Sequence, residues 1–197
     1  MSQIFLLRHG EVQGGKKLRG KTDEPLTSQG WQQMHHALIN MQFDRVISSP
    51  LLRCAQFATE YAHLQQLPIE IITDLAEIDF GDWDGLTYEA LFAEPNSAAE
   101  RYFSDPYSHT IPNGESMADF ATRVENVIEL IAKRYKEQRV LVVTHGGVIR
   151  HFLTHLLGFN QAQIGAKYLP IEIGHGALIK LACYQSDSSN PQFCWQI

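Results

Sequence analysis

The chain has 197 residues, of which 44% are hydrophobic and 19% charged, and these values predict one globular domain with a substantial core. A formal net charge of -6 argues against nucleic acid as a general partner, and no apolar run approaches the ~20 residues that a membrane span needs. The N-terminus lacks the features of a signal peptide, and three cysteines without metal-ligand spacing suit a reducing cytosol, so we expect a cytoplasmic location.

The first predicted element is a buried strand at residues 4–7, with the sequence IFLL, that runs directly into Arg8, His9 and Gly10. Ligands of open α/β sheets bind just past the carboxyl ends of the strands. We therefore expect His9 to lie in a cleft beside a fixed positive charge, with Gly10 allowing a sharp turn close to a ligand. On these residues alone, a strand end with a surface histidine is an equal alternative.

A polar loop then leads to a helix that is predicted to begin after an N-cap at Thr27. A strand over residues 43–48 and a helix over residues 50–64 follow, with Pro50 in the first helical position. Because this second helix starts where a strand ends, Arg53 in its first turn is a candidate cleft residue. The alternative is an ordinary cation on a helix surface.

An acidic loop at residues 74–85 follows a third short strand over residues 69–72. The loop contains five carboxylates and no lysine or arginine, and Glu77 is the best candidate in it for a proton donor to a leaving group. Residues 87–112 hold two short helical patterns and three prolines. This composition predicts a cap insertion over about residues 86–115, within a single domain of residues 1–197.

The pattern of the first strand returns at residues 139–144, where another apolar run ends on His145 and Gly146. Two units of this kind predict two imidazoles, His9 and His145, that face one crevice. The alternation of strands with helices along the chain predicts a three-layer α/β/α sandwich with a largely parallel central sheet.

An amphipathic helix is predicted over residues 116–136, and another over residues 147–157. The second of these carries His151 and His155 at a spacing that could hold a metal. No partner carboxylate or further ligand lies nearby in the sequence, so we interpret both as surface histidines.

The residues at these strand ends are suited to phosphoryl transfer. A neutral imidazole such as His9 is a good nucleophile toward phosphorus, and the guanidinium groups of Arg8 and Arg53 could hold nonbridging oxygens by paired hydrogen bonds. His145, when protonated, would add a donor, and the backbone N–H groups that begin at Gly146 open a helix and form an anion site. Such a pocket would stabilise the charge on a transferring phosphoryl group.

The order of these motifs resembles that of the histidine phosphatases, in the phosphoglycerate mutase-like branch. The matching pieces are LRHGE at 7–11, GKTD at 20–23, SSPLLR at 48–53, LAEIDFGDWDG at 75–85, PNGES at 112–116 and THGG at 144–147. The resemblance implies that His9 becomes phosphohistidine and that Glu77 acts as general acid and then as general base. The phosphate-binding residues that it implies are Arg8, Arg53, His145 and Gly146, and the candidate substrate-binding residues are Arg19, Gly20, Lys21 and Thr22.

The same resemblance implies no metal and no organic cofactor, and its substrate would be a small-molecule phosphomonoester. A homodimer is compatible with it. Mutase-like members usually carry an asparagine a few residues after the LRHGE motif, which this chain lacks, and Gln13, Lys16 and Arg19 are the candidate substitutes. Between residues 86 and 116 the only lysine or arginine is Arg101, whereas mutases have a basic cap. Hydrolysis is therefore favoured over phosphoryl shuttling.

Within the family, the short chain, the loop at 80–85 and the compact cap most resemble the α-ribazole phosphatases of cobalamin nucleotide-loop assembly. The aromatic residues of this region either cover a planar base or form the core of the cap, and they are Trp83, Tyr88, Phe92, Tyr102, Phe103 and Tyr107. A broad phosphatase of sugar phosphates or nucleotides is the second hypothesis. A phosphoglycerate mutase and a noncatalytic phosphate-binding module rank below it.

Overall fold

The structure, a computed structural model, describes residues 2–95, 97–158, 171–185 and 191–196. Its six strands are β1 (Ser2–Arg8), β2 (Arg45–Ser48), β3 (Ile69–Ile71), β4 (Arg139–Thr144), β5 (Leu178–Gln185) and β6 (Pro191–Gln196). They form one sheet in the order β3-β2-β4-β1-β5-β6. Strands β1 to β4 are parallel, whereas β5 runs antiparallel to β1 and β6 runs antiparallel to β5.

The α-helices within these described ranges are α1 (Ser28–Ala37), α2 (Leu52–Gln65), α3 (Tyr88–Leu91), α4 (Ala98–Ser104), α5 (Met117–Arg134) and α6 (Gly146–Leu156). Residues of α1 and α2 pack on one face of the sheet, and residues of α5 and α6 pack on the other. This arrangement confirms the predicted three-layer α/β/α sandwich with a largely parallel sheet. No helix within the described ranges is long and apolar enough to cross a membrane.

Alternation along the central strands builds the two cores. In β1, Ile4 and Leu6 pack with the helices of one face, while Phe5 and Leu7 pack with those of the other. Successive side chains of a strand point to opposite faces, so a continuous apolar run must be covered on both sides. Each fully buried aliphatic side chain contributes roughly 1.5–3 kcal/mol relative to an exposed one. The burial fixes the sheet and, with it, the positions of the strand ends.

The N-terminal caps were predicted in part. The Thr27 hydroxyl accepts the N–H of Gly30 at 2.9 Å, which confirms this residue as the N-cap of α1. The predicted position of Pro50 inside α2 is wrong, since the helix begins two residues later, at Leu52. The physical reason is that Leu51 is extended, with φ −68° and ψ 137°, and is the N-cap without a side-chain hydrogen bond.

The prediction that His151 lies on the surface is also wrong. His151 is 5% exposed, and its Nε2 lies 2.9 Å from Oε1 of Glu125 on α5. His155 is largely exposed but approaches the same oxygen at 3.1 Å. These two hydrogen bonds, with His151 first, lower the pKa of Glu125 to about 2. Glu125 lies 26 positions from His151, so only the packing of α5 against α6 reveals this partner.

Candidate active site

The predicted nucleophile, His9, lies directly after β1 and is 6% exposed. Its Nδ1 is 2.8 Å from the carbonyl oxygen of Gly10. Because a carbonyl can only accept, Nδ1 carries the ring proton and Nε2 keeps its lone pair. Burial, and next the charge of Arg53, hold the pKa of His9 well below its usual value of 6.5. The imidazole is therefore neutral at neutral pH, as nucleophilic attack requires.

Gly10 serves close packing instead of the sharp turn that we expected. It does not have positive φ. A Cβ at this position would lie 2.1 Å from the carbonyl oxygen of Gly30, in the first turn of α1. Any side chain at residue 10 would therefore push α1 away from the strand end. Gly10 therefore allows the segment after His9 to pack against α1, and this space is filled by the helix and not by a ligand.

Arg8 extends into the cleft beside the start of α6. Its Nη1 donates a hydrogen bond to the carbonyl oxygen of Ile173. Its Nε lies so near Gly146 that a Cβ there would be 3.2 Å away. This Nε–H is buried and has no hydrogen-bond partner within the described residues. Burial lowers the pKa of Arg8, chiefly because a charged group loses hydration, but the guanidinium stays charged.

The second predicted imidazole, His145, is adjacent to the first and fully buried. The ring centroids of His9 and His145 are 5.3 Å apart. Nδ1 of His145 accepts from Nε of Arg53 at 3.3 Å, so its proton sits on Nε2, 2.7 Å from Oγ of Ser49. Burial, and next Arg53, hold the pKa of His145 well below its usual value. These contacts and the lowered pKa favour a neutral imidazole that directs its N–H to Ser49, and they argue against the protonated donor expected from the sequence.

Arg53 lies in the first turn of α2, as predicted, and is fully buried. Its two terminal nitrogens donate to the carbonyl oxygens of Arg19, Gly20 and Thr22 at 3.1, 3.1 and 2.9 Å. With Nε directed to His145, every nitrogen of the guanidinium has a protein partner. Arg53 does not line the cleft itself, but it ties the segment 19–22 to His145 beneath His9.

The four candidate substrate-binding residues do not all face the cleft. Arg19 lines the cleft together with His9. The backbone N–H groups of Gly20 and Thr22 donate to the carboxylate of Asp84 at 2.7 and 2.6 Å. Lys21 is exposed, and its ammonium lies 2.6 Å from Asp79. Only the first of the four faces the cleft.

The three residues expected to replace the missing asparagine also differ in whether they line the cleft. Of Gln13, Lys16 and Arg19, only Arg19 lines the cleft, and the neighbouring Lys17 lines it as well. Both of these cations form ion pairs with Glu24, at 2.5 Å for Lys17 and 2.6 Å for Arg19. They hold the loop after β1 together at the rim of the cleft.

Glu77 also lines the cleft. Its Oε2 accepts the N–H of Gly147 at 3.0 Å, and its Oε1 accepts the N–H of Ile78 at 3.1 Å. The helix N-terminus that we predicted as an anion site thus receives the carboxylate of Glu77. Gly147 makes this approach feasible, because a Cβ there would lie 2.2 Å from Oε1 of Glu77.

The cleft has a volume of about 170 Å³, and several of its lining residues were not predicted from the sequence. The polar and aromatic residues among these are Lys17, Phe80, Arg150 and His175, and the aliphatic ones are Val12 and Leu18. The rings of His9 and His175 have centroids 5.7 Å apart. Burial, and next the charge of Arg8, lower the pKa of His175 to about 4. His175 precedes β5, which is antiparallel, and the start of such a strand lies at the edge where the parallel strands end.

The aromatic residues of the predicted cap divide between the core and the cleft. Trp83 and Tyr102 are buried with their rings 5.6 Å apart. Tyr88 and Phe103 line the cleft. Within the described ranges no group of histidine, cysteine or acidic side chains has the geometry of a metal site.

A neutral imidazole, a guanidinium and a carboxylate that meet at the carboxyl edge of an α/β sheet are suited to binding and transferring a phosphate group. A family model for the histidine phosphatase superfamily (branch 1) matches residues 4–190. The chain belongs to this superfamily and is a phosphatase.

Three relatives illustrate the likeness. Adenosylcobalamin/alpha-ribazole phosphatase of Escherichia coli is 35% identical over 164 residues, which are 79% of each chain. Phosphoserine phosphatase 1 of Hydrogenobacter thermophilus is 29% identical, over 83% of this chain and 80% of that protein. The solved structure of alpha-ribazole phosphatase from Shigella flexneri has a TM-score of 0.78 at 28% identity, over 93% of this chain and 91% of the other.

Proposed function

We propose that this phosphatase hydrolyses small-molecule phosphomonoesters through a covalent phosphohistidine on His9. The observation that carries the proposal is the state of this imidazole. Nδ1 is directed to the carbonyl of Gly10, so the lone pair of Nε2 is available to a phosphorus atom in the cleft. Arg8 and Glu77 line the same cleft.

In the first step, Nε2 of His9 attacks the phosphorus atom while the bond from phosphorus to the ester oxygen breaks. The buried, unpartnered Nε–H of Arg8 is a donor for a nonbridging oxygen. Glu77, protonated for this step, gives its proton to the leaving oxygen. The products of the step are an alcohol and phosphohistidine, and the carboxylate is left ionised.

In the second step, the Glu77 carboxylate takes a proton from a water molecule as the oxygen of that water attacks phosphorus. The bond between phosphorus and His9 breaks, which releases inorganic phosphate and restores the neutral imidazole. We propose that no metal takes part, because the guanidinium of Arg8 and the neighbouring charge of Arg53 supply the positive field that a divalent cation would otherwise bring.

The first candidate substrate is α-ribazole 5′-phosphate, in cobalamin nucleotide-loop assembly. It rests on the Escherichia coli relative, whose name assigns it to adenosylcobalamin and alpha-ribazole phosphates, and which is 35% identical to this chain. Tyr88 and Phe103 line the cleft and could cover a planar base.

The second candidate is a broader range of phosphomonoesters. Of the cap aromatics, Trp83 and Tyr102 pack on each other and are buried, so fewer rings are available for a base than the sequence suggested. A relative at 29% identity is a phosphoserine phosphatase, whose substrate has no ring. Homodimer formation and a cytoplasmic location stay predictions.

The test is to stop the reaction during turnover of a ³²P-labelled ester and to recover the protein. We expect a phosphoprotein that is labile to acid and stable to alkali, and that is absent from the His9→Ala variant. His155→Ala is the matched control, because this histidine is exposed on α6 and lies outside the cleft lining. Label that persists in His9→Ala would disprove the assignment. Relative values of kcat/KM for α-ribazole 5′-phosphate, sugar phosphates and phosphoserine then decide between the two substrate candidates.

A further inference from the structure

Arg123, on α5, binds the backbone of the loop that carries Glu77. Its Nη1 donates to the carbonyl oxygens of Asp74 and Ala76 at 2.8 and 2.7 Å, and its Nη2 donates to the carbonyl oxygen of Glu77 at 3.1 Å. Three carbonyl groups of one short loop therefore converge on a single guanidinium. Arg123 is not among the residues that line the cleft of His9.

The remaining donors of Arg123 bind Glu115, at the start of the segment that leads into α5. Nε and Nη2 reach the two carboxylate oxygens at 2.6 and 2.8 Å, as a bidentate pair. Side-chain exposure is only 20% for Arg123 and 17% for Glu115, so water competes little for these bonds. Each of the five guanidinium N–H groups thus has an acceptor.

Glu115 also binds the loop beyond Glu77. Its backbone N–H donates to the carbonyl oxygen of Asp79 at 3.0 Å, and its Oε2 accepts the N–H of Asp79 at 3.3 Å. The Arg123–Glu115 ion pair therefore binds the loop backbone both before and after Glu77. Converging carbonyl groups repel one another unless a donor lies between them, so the observed loop conformation depends on the planar fork of Arg123.

We infer that Arg123 is a positioning residue for proton transfer, which sets the place of the Glu77 carboxylate through the backbone of residues 74–77. The inference rests on the proposed role of Glu77 as general acid. A carboxylate displaced by about 1 Å can lose on the order of 10²-fold in rate. Only the proton-transfer part of the reaction should suffer, because Arg123 touches neither His9 nor Arg8.

The experiment measures kcat/KM, which reports the phosphorylation step, for a series of esters whose leaving groups differ in pKa. For Arg123→Lys we expect alkyl phosphates to lose about 10- to 100-fold and p-nitrophenyl phosphate, which leaves without a proton, to lose less than about 3-fold. Lysine keeps the charge but has three donors at one point and cannot serve all five acceptors. In a Glu77→Gln background the same substitution should have no further effect on alkyl phosphates.

Arg139→Lys is the matched control, because Nε of Arg139 also holds a loop carbonyl, that of Gln42, at 2.6 Å, at the opposite edge of the sheet. It should leave the leaving-group dependence unchanged. Glu115→Gln is a milder second variant, which keeps the backbone bonds of Arg123 and decides the matter if Arg123→Lys does not fold. We expect it to lose about 3- to 10-fold on alkyl phosphates alone.

Two results distinguish a failure of the positioning role of Arg123 from a failure of the proposed role of Glu77. If Glu77→Gln shows the leaving-group dependence while Arg123→Lys and Glu115→Gln lower all substrates equally or not at all, the positioning role is wrong and the proposed acid stands. If Glu77→Gln itself slows all substrates equally, the assignment of the acid is wrong, and the role of Arg123 in proton transfer is overturned with it.

Discussion

Replacing Arg53 by lysine should lower both stability and activity, because the planar guanidinium of this arginine binds the segment 19–22 and His145 at the same time. Its nitrogens serve the carbonyl oxygens of Arg19, Gly20 and Thr22 and the Nδ1 atom of His145. The side chain is fully buried, so water cannot replace a lost donor. An ammonium group at one point cannot span these acceptors, and two of them left unpaired would cost about 1–3 kcal/mol each. We therefore expect a loss of about 2–6 kcal/mol in the free energy of unfolding.

Urea unfolding of Arg53→Lys measures this loss, and the accompanying fall in kcat/KM should be on the order of 10²-fold. Arg134→Lys is the control, since Arg134 is 56% exposed and pairs with Glu70 at the surface. It should change stability by less than about 0.5 kcal/mol. A loss below about 1 kcal/mol in Arg53→Lys, with near-normal kinetics, would refute the reasoning that these contacts hold the segment 19–22 and His145 in place.

Three further predictions concern the carboxylate, the metal and pH. Gly147→Ala should lower kcat/KM for alkyl phosphates at least about 10-fold, because its Cβ would lie 2.2 Å from Oε1 of Glu77. Gly174→Ala, where nothing lies within 4 Å of the added atom, should have no effect, and equal effects of both would contradict the steric argument. Activity should survive prolonged chelation, and a loss that Zn²⁺ or Mg²⁺ restores would show that a metal takes part. Burial holds the pKa of His9 and of His145 below 6.5, so the unfolded chain binds more protons at acid pH. The free energy of unfolding should therefore fall from pH 6.5 to 5, by up to about 1.4 kcal/mol per pH unit for each histidine, and more gently in His9→Asn. An unchanged slope in that variant would mean that His9 does not titrate as argued.

The residues that follow apolar strands were the most predictable part of the site. A buried strand has a clear signature, and its carboxyl end is where an α/β sheet exposes polar groups. Arg8, His9 and His145 could therefore be brought together from sequence alone, and the parallel register of β1 with β4 places Arg8 opposite Thr144, so the two histidines follow side by side. Arg53 could be identified in the same way, because it lies in the first turn of the helix that follows a strand.

What the sequence could not show is which partner each polar group takes. Ser49 accepts from His145 across 96 positions, and Arg123 reaches the loop of Glu77 across 46 to 49 positions. No periodicity encodes contacts of this length, because they depend on how helices pack over the sheet. Nor does the sequence show that β5 runs antiparallel to β1, which is what brings His175 to the carboxyl ends of the parallel strands.

The hydrogen-bond partners of Arg8 and Arg53 decide which of the two can bind a phosphoryl oxygen directly. Arg53 directs its nitrogens to backbone carbonyls and His145, and so acts on His9 mainly through its field. Arg8 keeps a buried Nε–H without a partner in the described residues, which leaves it the better donor to a phosphoryl oxygen. The same two charges, after burial, keep the pKa of His9 low. A fixed cationic field therefore favours both the neutral nucleophile before attack and the anionic phosphoryl group during it. Removing either charge should raise the pKa of His9 and weaken phosphate binding together, so the two effects belong to one cause.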